Sequence, residues 1–290
     1  MVDVSSARKF WCQTLLASWI LHLSLGALAE APATPLLAAS LQPALIPFQD
    51  GEKVRYEVHW RPLPLMPAVK AGEIDFQIRR EEFEGNPVFR ITAQASSKGF
   101  LTSLGLKIED DFESIVDARD FRSLRFIYRK RHNHRKQDLE MSVNYEAGYA
   151  LVREIDLADS PSRTIRDHRI EAVPGAVSDF VSVFYAGRLR EFLPEQTYLI
   201  HLYDNGRIKQ VQVRVEATER VRSGLDSHDS VRLRSEDGIF KGGGHFMIWY
   251  SRDDLRLPVR FEASAKLGRV FGRLILIESP RFSKARVRIS

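Results

Sequence analysis

Five fixed cations fall within eight residues at Arg129-Lys130-Arg131-His132-Asn133-His134-Arg135-Lys136, with His132 and His134 set among them. That density makes a concentrated positive field, which suits phospholipid headgroups, glycolipid phosphates or another acidic envelope polymer. The same run also serves a solvated hairpin tip, with Asn133 near the turn. His132 and His134 could share a strand face, but the flanking cations oppose a bound metal, so no metal site is expected. A second candidate is Lys241-Gly242-Gly243-Gly244-His245. It lacks the spacing of a phosphate-binding loop, and a strand-like run follows where a helix N-terminus would be needed. Its glycines could still let a ligand head group approach His245. Trp249, one of several aromatics that would line strand faces, completes the ligand-binding candidates: Arg129, Arg131, His132, His134, Arg135, His245 and Trp249.

Catalytic constellations are harder to find. Asp110-Asp111 and Asp253-Asp254 are paired acids, but neighbours on a strand point to opposite faces, so neither pair can converge on one substrate. Pairing across the fold, as of Asp111 with Asp253, would be required. No G-x-S-x-G, H-E-x-x-H or dinucleotide fingerprint occurs, and Ser178-Asp179 reads as a helix start. No catalytic residue and no cofactor is expected.

The elements that must position these residues are strands. Period-two alternation marks 54–60, 72–79, 88–93, 107–116, 123–130, 139–145 and 150–155. It resumes at 197–203, 209–219, 230–234, 245–250, 257–264 and 272–278. One apolar face per strand is the pattern of an antiparallel sheet packed on a core. Asp204-Asn205-Gly206-Arg207 is a hairpin signal, since Asn-Gly accepts positive φ. One segment differs: Phe180, Val181, Phe184, Tyr185 and Leu189 fall at helical spacing, with Ser178 as the cap. The expected fold is therefore mainly β, a curved antiparallel sheet or open barrel with one central helix over about 179–190. It would be one β-rich domain over 48–290, or two joined halves meeting near 175–195.

The N-terminus carries an address. Arg8 and Lys9 precede an apolar stretch over 10–28, and Ala27-Leu28-Ala29 offers small residues for cleavage, so 1–29 reads as a secretory signal peptide. Retention as a membrane anchor is the alternative, weakened by Gln13, Thr14, Ser18, His22 and Ser24. Cleavage would discard Cys12, the single cysteine, and with Asp3, Arg8 and Lys9 would remove one unit of the formal +5 charge. Disulfide frameworks and thiolate metal clusters are thereby excluded. Residues 30–47 are Ala- and Pro-rich and read as a leader or spacer.

Several pieces taken together resemble the DUF3108 family of uncharacterised exported bacterial proteins. They are Gly51-Glu52-Lys53-Val54-Arg55-Tyr56-Glu57-Val58-His59-Trp60 with Ala71-Gly72, the 179–189 segment, Trp249-Tyr250-Ser251-Arg252-Asp253 with Arg256-Leu257-Pro258-Val259, and Leu267-Gly268-Arg269-Val270. The resemblance implies an envelope location, in the periplasm, and a mostly β fold. It supplies no activity and no catalytic residues.

The expected function is a non-enzymatic envelope protein that binds a hydrophobic or anionic amphiphilic ligand, such as a lipid or glycolipid, or another envelope component. Alternatives are a periplasmic assembly protein using its sheet edge and the apolar Leu63-Pro64-Leu65-Met66-Pro67 loop, and a hydrolase of envelope polysaccharide or lipid. Peripheral membrane contact suits the basic run, whereas export takes the chain away from nucleic acid. The sequence carries no signal for an oligomeric state.

Overall fold

Alternation of apolar and polar residues becomes one continuous antiparallel sheet in the computed structural model, which describes residues 34–36, 46–158, 160–235, 244–265 and 268–280. The first half of the chain supplies β2 (Lys53–Arg61), β3 (Val69–Phe83), β4 (Asn86–Ser97), β5 (Glu109–Asp117), β6 (Ser123–His132), β7 (Arg135–Asn144), β8 (Tyr149–Asp156) and β9 (Arg163–Glu171). The second half supplies β10 (Thr197–Asp204), β11 (Arg207–Arg222), β12 (Ser227–Ser235), β13 (Phe246–Ser251), β14 (Pro258–Ala265) and β15 (Gly268–Glu278). A two-residue strand β1 (Thr34–Pro35) pairs in parallel with β10. The order in the sheet is β1-β10-β11-β12-β13-β14-β15-β2-β3-β4-β5-β6-β7-β8-β9. Each half is a meander, and the halves join where β15 pairs with β2, Lys53 opposite Glu278.

Bulges at Val58/His59, Ile115/Val116 and Val215/Ala217 add local twist and curl the sheet until its two ends meet. Arg166 of β9 donates to the carbonyl of Asn205, and His168 Nε2 lies 2.9 Å from the carbonyl oxygen of Gly206, both in the β10–β11 turn. Inside, Phe126 of β6 reaches Tyr203 of β10, ring centroids 6.0 Å apart. The inward residues of all these strands form one apolar core. In the turn itself Asn205 and Gly206 both take positive φ, as the Asn-Gly signal anticipates.

The crossing from β9 to β10 plugs one end of this open barrel. Its helix is shorter than the spacing predicts. Helix α2 covers Ser182–Ala186, followed by a 3-10 turn over Gly187–Leu189, and a further short helix, α1, covers Phe100–Ser103. Ser178 does not cap α2. It is drawn into a parallel bridge with Leu202, its N–H donating to the carbonyl of His201. Asp179 takes over the capping, accepting from the N–H groups of Val181 and Ser182 at 2.9 Å each. The other oxygen of Asp179 accepts from Ser114 Oγ at 2.5 Å and Ser123 Oγ at 2.6 Å, which pins the helix to β5 and β6. Burial raises this carboxyl's pKa, and the four donors pull the other way.

Further along the crossing, Arg188 is buried in a two-pronged pair with Glu52, beside the start of β2. Its guanidinium also donates to the carbonyls of Leu255 and Pro47, at 3.1 and 3.3 Å. Gly187 is required for this docking, because a Cβ there would lie 2.2 Å from the Tyr250 hydroxyl.

Parts of the stretch that reads as a spacer belong to the body. Leu36 is buried behind β1, and Ile46, Pro47 and Phe48 are buried beside the crossing. Strand β9 has no counterpart among the strands read from sequence. Residues 1–29, which read as a signal peptide, and the loop residues Lys241, Gly242 and Gly243 lie outside the described residues.

Candidate functional site

Side-chain size changes from one end of the barrel to the other. At the helix end the inward positions carry Ile78, Phe76, Ile91 and Phe89, which fill the space with Phe48, Phe121 and Tyr185. At the other end the inward positions of β3, β4 and β14 are Gly72, Ala71, Ala95 and Ala263. Small residues there leave an apolar cavity of about 270 Å³. Phe180, Val183 and Phe184 form its floor, Ile200, Val211 and Val213 one wall, and Ile248, Phe261 and Val270 another. With Phe180, Val183 and Phe184 as its floor, the cavity extends toward the end of the barrel away from the helix.

The mouth therefore lies on the side of the 62–68, 98–108, 133–134 and 205–206 connections. One acid lines it: Asp204 pairs with Lys209 at 3.3 Å. Glu73 alternates with the inward Gly72 and Ile74 and so faces outward, where it accepts from Lys98 and, at 2.9 Å, from Lys70. Burial raises Asp204 and lowers Lys209, each held partway back by the other. An apolar bore with an acid–base pair at its rim suits a molecule with a hydrophobic tail and a hydrogen-bonding head.

The fold and the cavity walls run through one stretch of sequence, and over residues 55–274 that stretch matches the family described as "Protein of unknown function (DUF3108)". The chain belongs to the DUF3108 family. Among solved structures, this DUF3108 chain is similar to a β-barrel-like protein of the DUF1849 domain from Brucella abortus. The TM-score is 0.49 at 8% identity, over 80% of this chain and 98% of that one. It is also similar to a protein from Bacteroides fragilis with a YmcC-like fold, assigned as exported, with a TM-score of 0.36, 9% identity and coverage of 83% and 100%. A protein from Parabacteroides distasonis assigned as a lipoprotein aligns with a TM-score of 0.30, 9% identity and the same coverage. No curated protein matches the sequence.

In this DUF3108 chain the basic run is split by strand alternation. His132 points inward and is buried, its Nε2 2.7 Å from Asp110, which also accepts from the Tyr128 hydroxyl at 3.1 Å. Arg129 and Arg131 sit on the opposite face, and Arg131 pairs with Asp138 at 2.7 Å. His134 is exposed in the two-residue turn after Asn133, and Arg135 opens β7 half-buried. His132 and His134 thus do not share a face. Among the described residues no His, Cys, Asp and Glu side chains group as a metal site. His245 and Trp249 alternate with the cavity-lining Phe246, Ile248 and Tyr250, and so face outward. Trp249 donates to Glu219 at 2.8 Å, under the guanidinium of Arg260. None of the seven candidates lines the cavity.

The acid pairs also separate. Asp111 accepts from Gln94 at 3.0 Å on the outer face near the mouth, whereas Asp253 holds the β13–β14 turn at the helix end. Sequence reasoning missed Asp204, Glu52 and Arg188. The available signal was the small residues at alternate positions of strands otherwise built from Ile, Val and Phe.

Glu73 ties the outer face of β3 to acid stability. Burial raises its carboxyl, but hydrogen bonds from Lys98 and Lys70 outweigh that and leave it below its ordinary value. Asp117 behaves alike: burial raises it and Arg119 pulls it down. A depressed folded pKa stabilises fully above the unfolded carboxylate value, about 4, and is lost as pH falls through the folded value. The urea midpoint is therefore expected to drop below about pH 4, and Glu73→Gln to flatten that fall. Identical acid limbs in the two proteins would assign the titration elsewhere.

Proposed function

We propose that this chain is an exported envelope protein that carries an amphiphile, such as a lipid or glycolipid, with its apolar part in the barrel and its head at the mouth. One observation carries the reading: an apolar cavity of about 270 Å³ open at one end, walled by aliphatic and aromatic side chains, with the Asp204–Lys209 pair at its rim. Its size is near the lower end of small-molecule sites, about 300–1,000 Å³. Export is supported by Arg8-Lys9, the apolar 10–28 stretch and Ala27-Leu28-Ala29.

Placement of the head at the rim differs from a capture site on the basic run. Arg129 and Arg131 face away from the bore, so they do not grip a ligand within it. Because the rim acid Asp204 is already paired with Lys209, the rim suits a head group that exchanges hydrogen bonds better than a bare anion.

The test is native mass spectrometry of the chain beginning at Glu30, purified without detergent and extracted into organic solvent. A co-purifying amphiphile, released on extraction and replaced by an added fluorescent fatty acid, is the expected result. Protein that emerges empty and does not take up the fatty acid would overturn the reading.

A further inference from the structure

Four exposed large apolar side chains cluster in two loops around the mouth, whereas Leu151, Ile165 and Leu193 are scattered over the rest of the described surface. Leu65 is fully exposed, and Leu63, Met66 and Phe100 are 54%, 43% and 41% exposed. The first three lie in the β2–β3 connection and Phe100 begins α1 in the β4–β5 connection, two loops that flank the same opening. Trp60 and Phe100 bring them together, ring centroids 6.4 Å apart. Large apolar side chains clustered at loop tips lose free energy in water and gain it in an apolar phase.

Cations border this lip. Asn133, in the turn of the basic run, accepts from Lys107 N–H at 2.7 Å, donates its side-chain amide to the carbonyl of Gly105 at 3.1 Å and donates its own N–H to the Lys107 carbonyl. The β6–β7 tip is thereby fastened to the loop that carries Phe100, bringing His134 and Lys136 beside Lys98 and Lys107. On the mouth side, Lys98, Lys107, Lys136, Arg163 and Arg207 are exposed beside Glu109. Glu73 and Glu109 neutralise part of this charge through Lys98 and Lys107. The helix end has the reverse bias: Asp50, Glu82, Glu84, Glu146, Glu171, Glu191, Glu195, Asp226, Asp253 and Asp254 are exposed there against Lys53, Arg79, Arg80, Arg119, Arg222 and Arg252.

We infer that the mouth is a docking face for an anionic phospholipid bilayer. Leu63, Leu65, Met66 and Phe100 enter the headgroup boundary, while Lys98, Lys107 and Lys136 meet the phosphates. The acidic helix end orients away from a negative surface, so charge and apolarity select the same pose. The bore then opens directly onto the membrane. This goes beyond ligand carriage and rests on the rim residues, so an empty bore does not remove it.

The test is flotation of the chain beginning at Glu30, which keeps every described residue and lacks the apolar 10–28 stretch. Vesicles of phosphatidylcholine alone are compared with vesicles containing about one-third phosphatidylglycerol, at low and high salt. Wild-type protein is expected to float with the anionic vesicles and to lose most of that binding with neutral vesicles or high salt. Leu65→Glu with Met66→Glu should reduce binding at least tenfold. Both side chains are solvent-exposed, so melting should be unchanged; Leu151→Glu, on the outer face of β8, should float as wild type. Ala263→Phe, which fills the bore, should also float as wild type, separating a failure here from a failure of the carrier reading. Equal flotation of wild type and the Leu65/Met66 variant, or none with either, would overturn the proposal. So would a self-association in sedimentation velocity that only the Leu65/Met66 variant loses, without vesicle binding, which would assign the lip to a second copy.

Discussion

Arg188→Met is expected to destabilise the protein by about 3–5 kcal/mol. The cause is Glu52, which is fully buried and is held by two prongs of the Arg188 guanidinium. Removing the guanidinium leaves a carboxylate without its counter-charge in a site lined by Phe48 and Tyr185, both of which the guanidinium overlies at 5.4 Å. It also strips the carbonyls of Leu255 and Pro47 of a donor. For a chain of this size about 2–4 °C of melting temperature accompany each kcal/mol, so the midpoint should fall by roughly 10 °C. The double variant Glu52→Gln with Arg188→Met removes both charges and should recover part of the loss. Circular-dichroism melts of the two single variants and the double variant close the cycle. A double variant whose loss equals the sum of the singles would show that the two side chains act independently.

The second large effect is on binding. Ala263→Phe is expected to weaken uptake of a fluorescent fatty acid at least tenfold while leaving the melting midpoint within about 3 °C. Ala263 faces the bore between Phe261 and the mouth, where Phe246 and Phe261 stack at 6.4 Å. An added ring there occupies space that the small residue leaves open, so it meets a ligand before it meets a packed neighbour. Leu151→Phe, placed on the outer face, is the control and should bind as wild type. Unchanged uptake by Ala263→Phe would move the ligand out of the bore.

Most of the strand framework was legible because one face of each strand meets a core and the other meets water, which writes period two into the sequence. Strand β9 escaped because it forms an edge: Ile165 and Ile170 fall on opposite parities among charged residues, so no apolar face is written. Helix α2 was legible in place but not in length. Its periodicity continues past Ala186, yet the demands of Arg188 for Glu52 and of Gly187 for Tyr250 turn the chain. The basic run was legible as a tip, and alternation alone would have separated Lys130 and His132 from Arg129 and Arg131. The bore was not legible, because it comes from small residues on strands far apart in sequence that the curl brings together. Nor could the pairing of β15 with β2 be read, since register between distant strands depends on the closed sheet.

That last pairing has a consequence for how the molecule is made. A chain delivered from its N-terminus presents β2 early, while the strand that completes its free edge is the last to arrive. Until then the backbone donors and acceptors of β2 on that side form an open template. Closing it joins the two ends of the described chain, so the step is non-local and slow relative to the hairpins on either side. During that interval the C-terminal meander of one copy fits the waiting edge of another as well as its own. A concentrated pool of newly made chains is therefore exposed to strand exchange between molecules, and an agent that shields the β2 edge would raise the yield of chains closed on themselves.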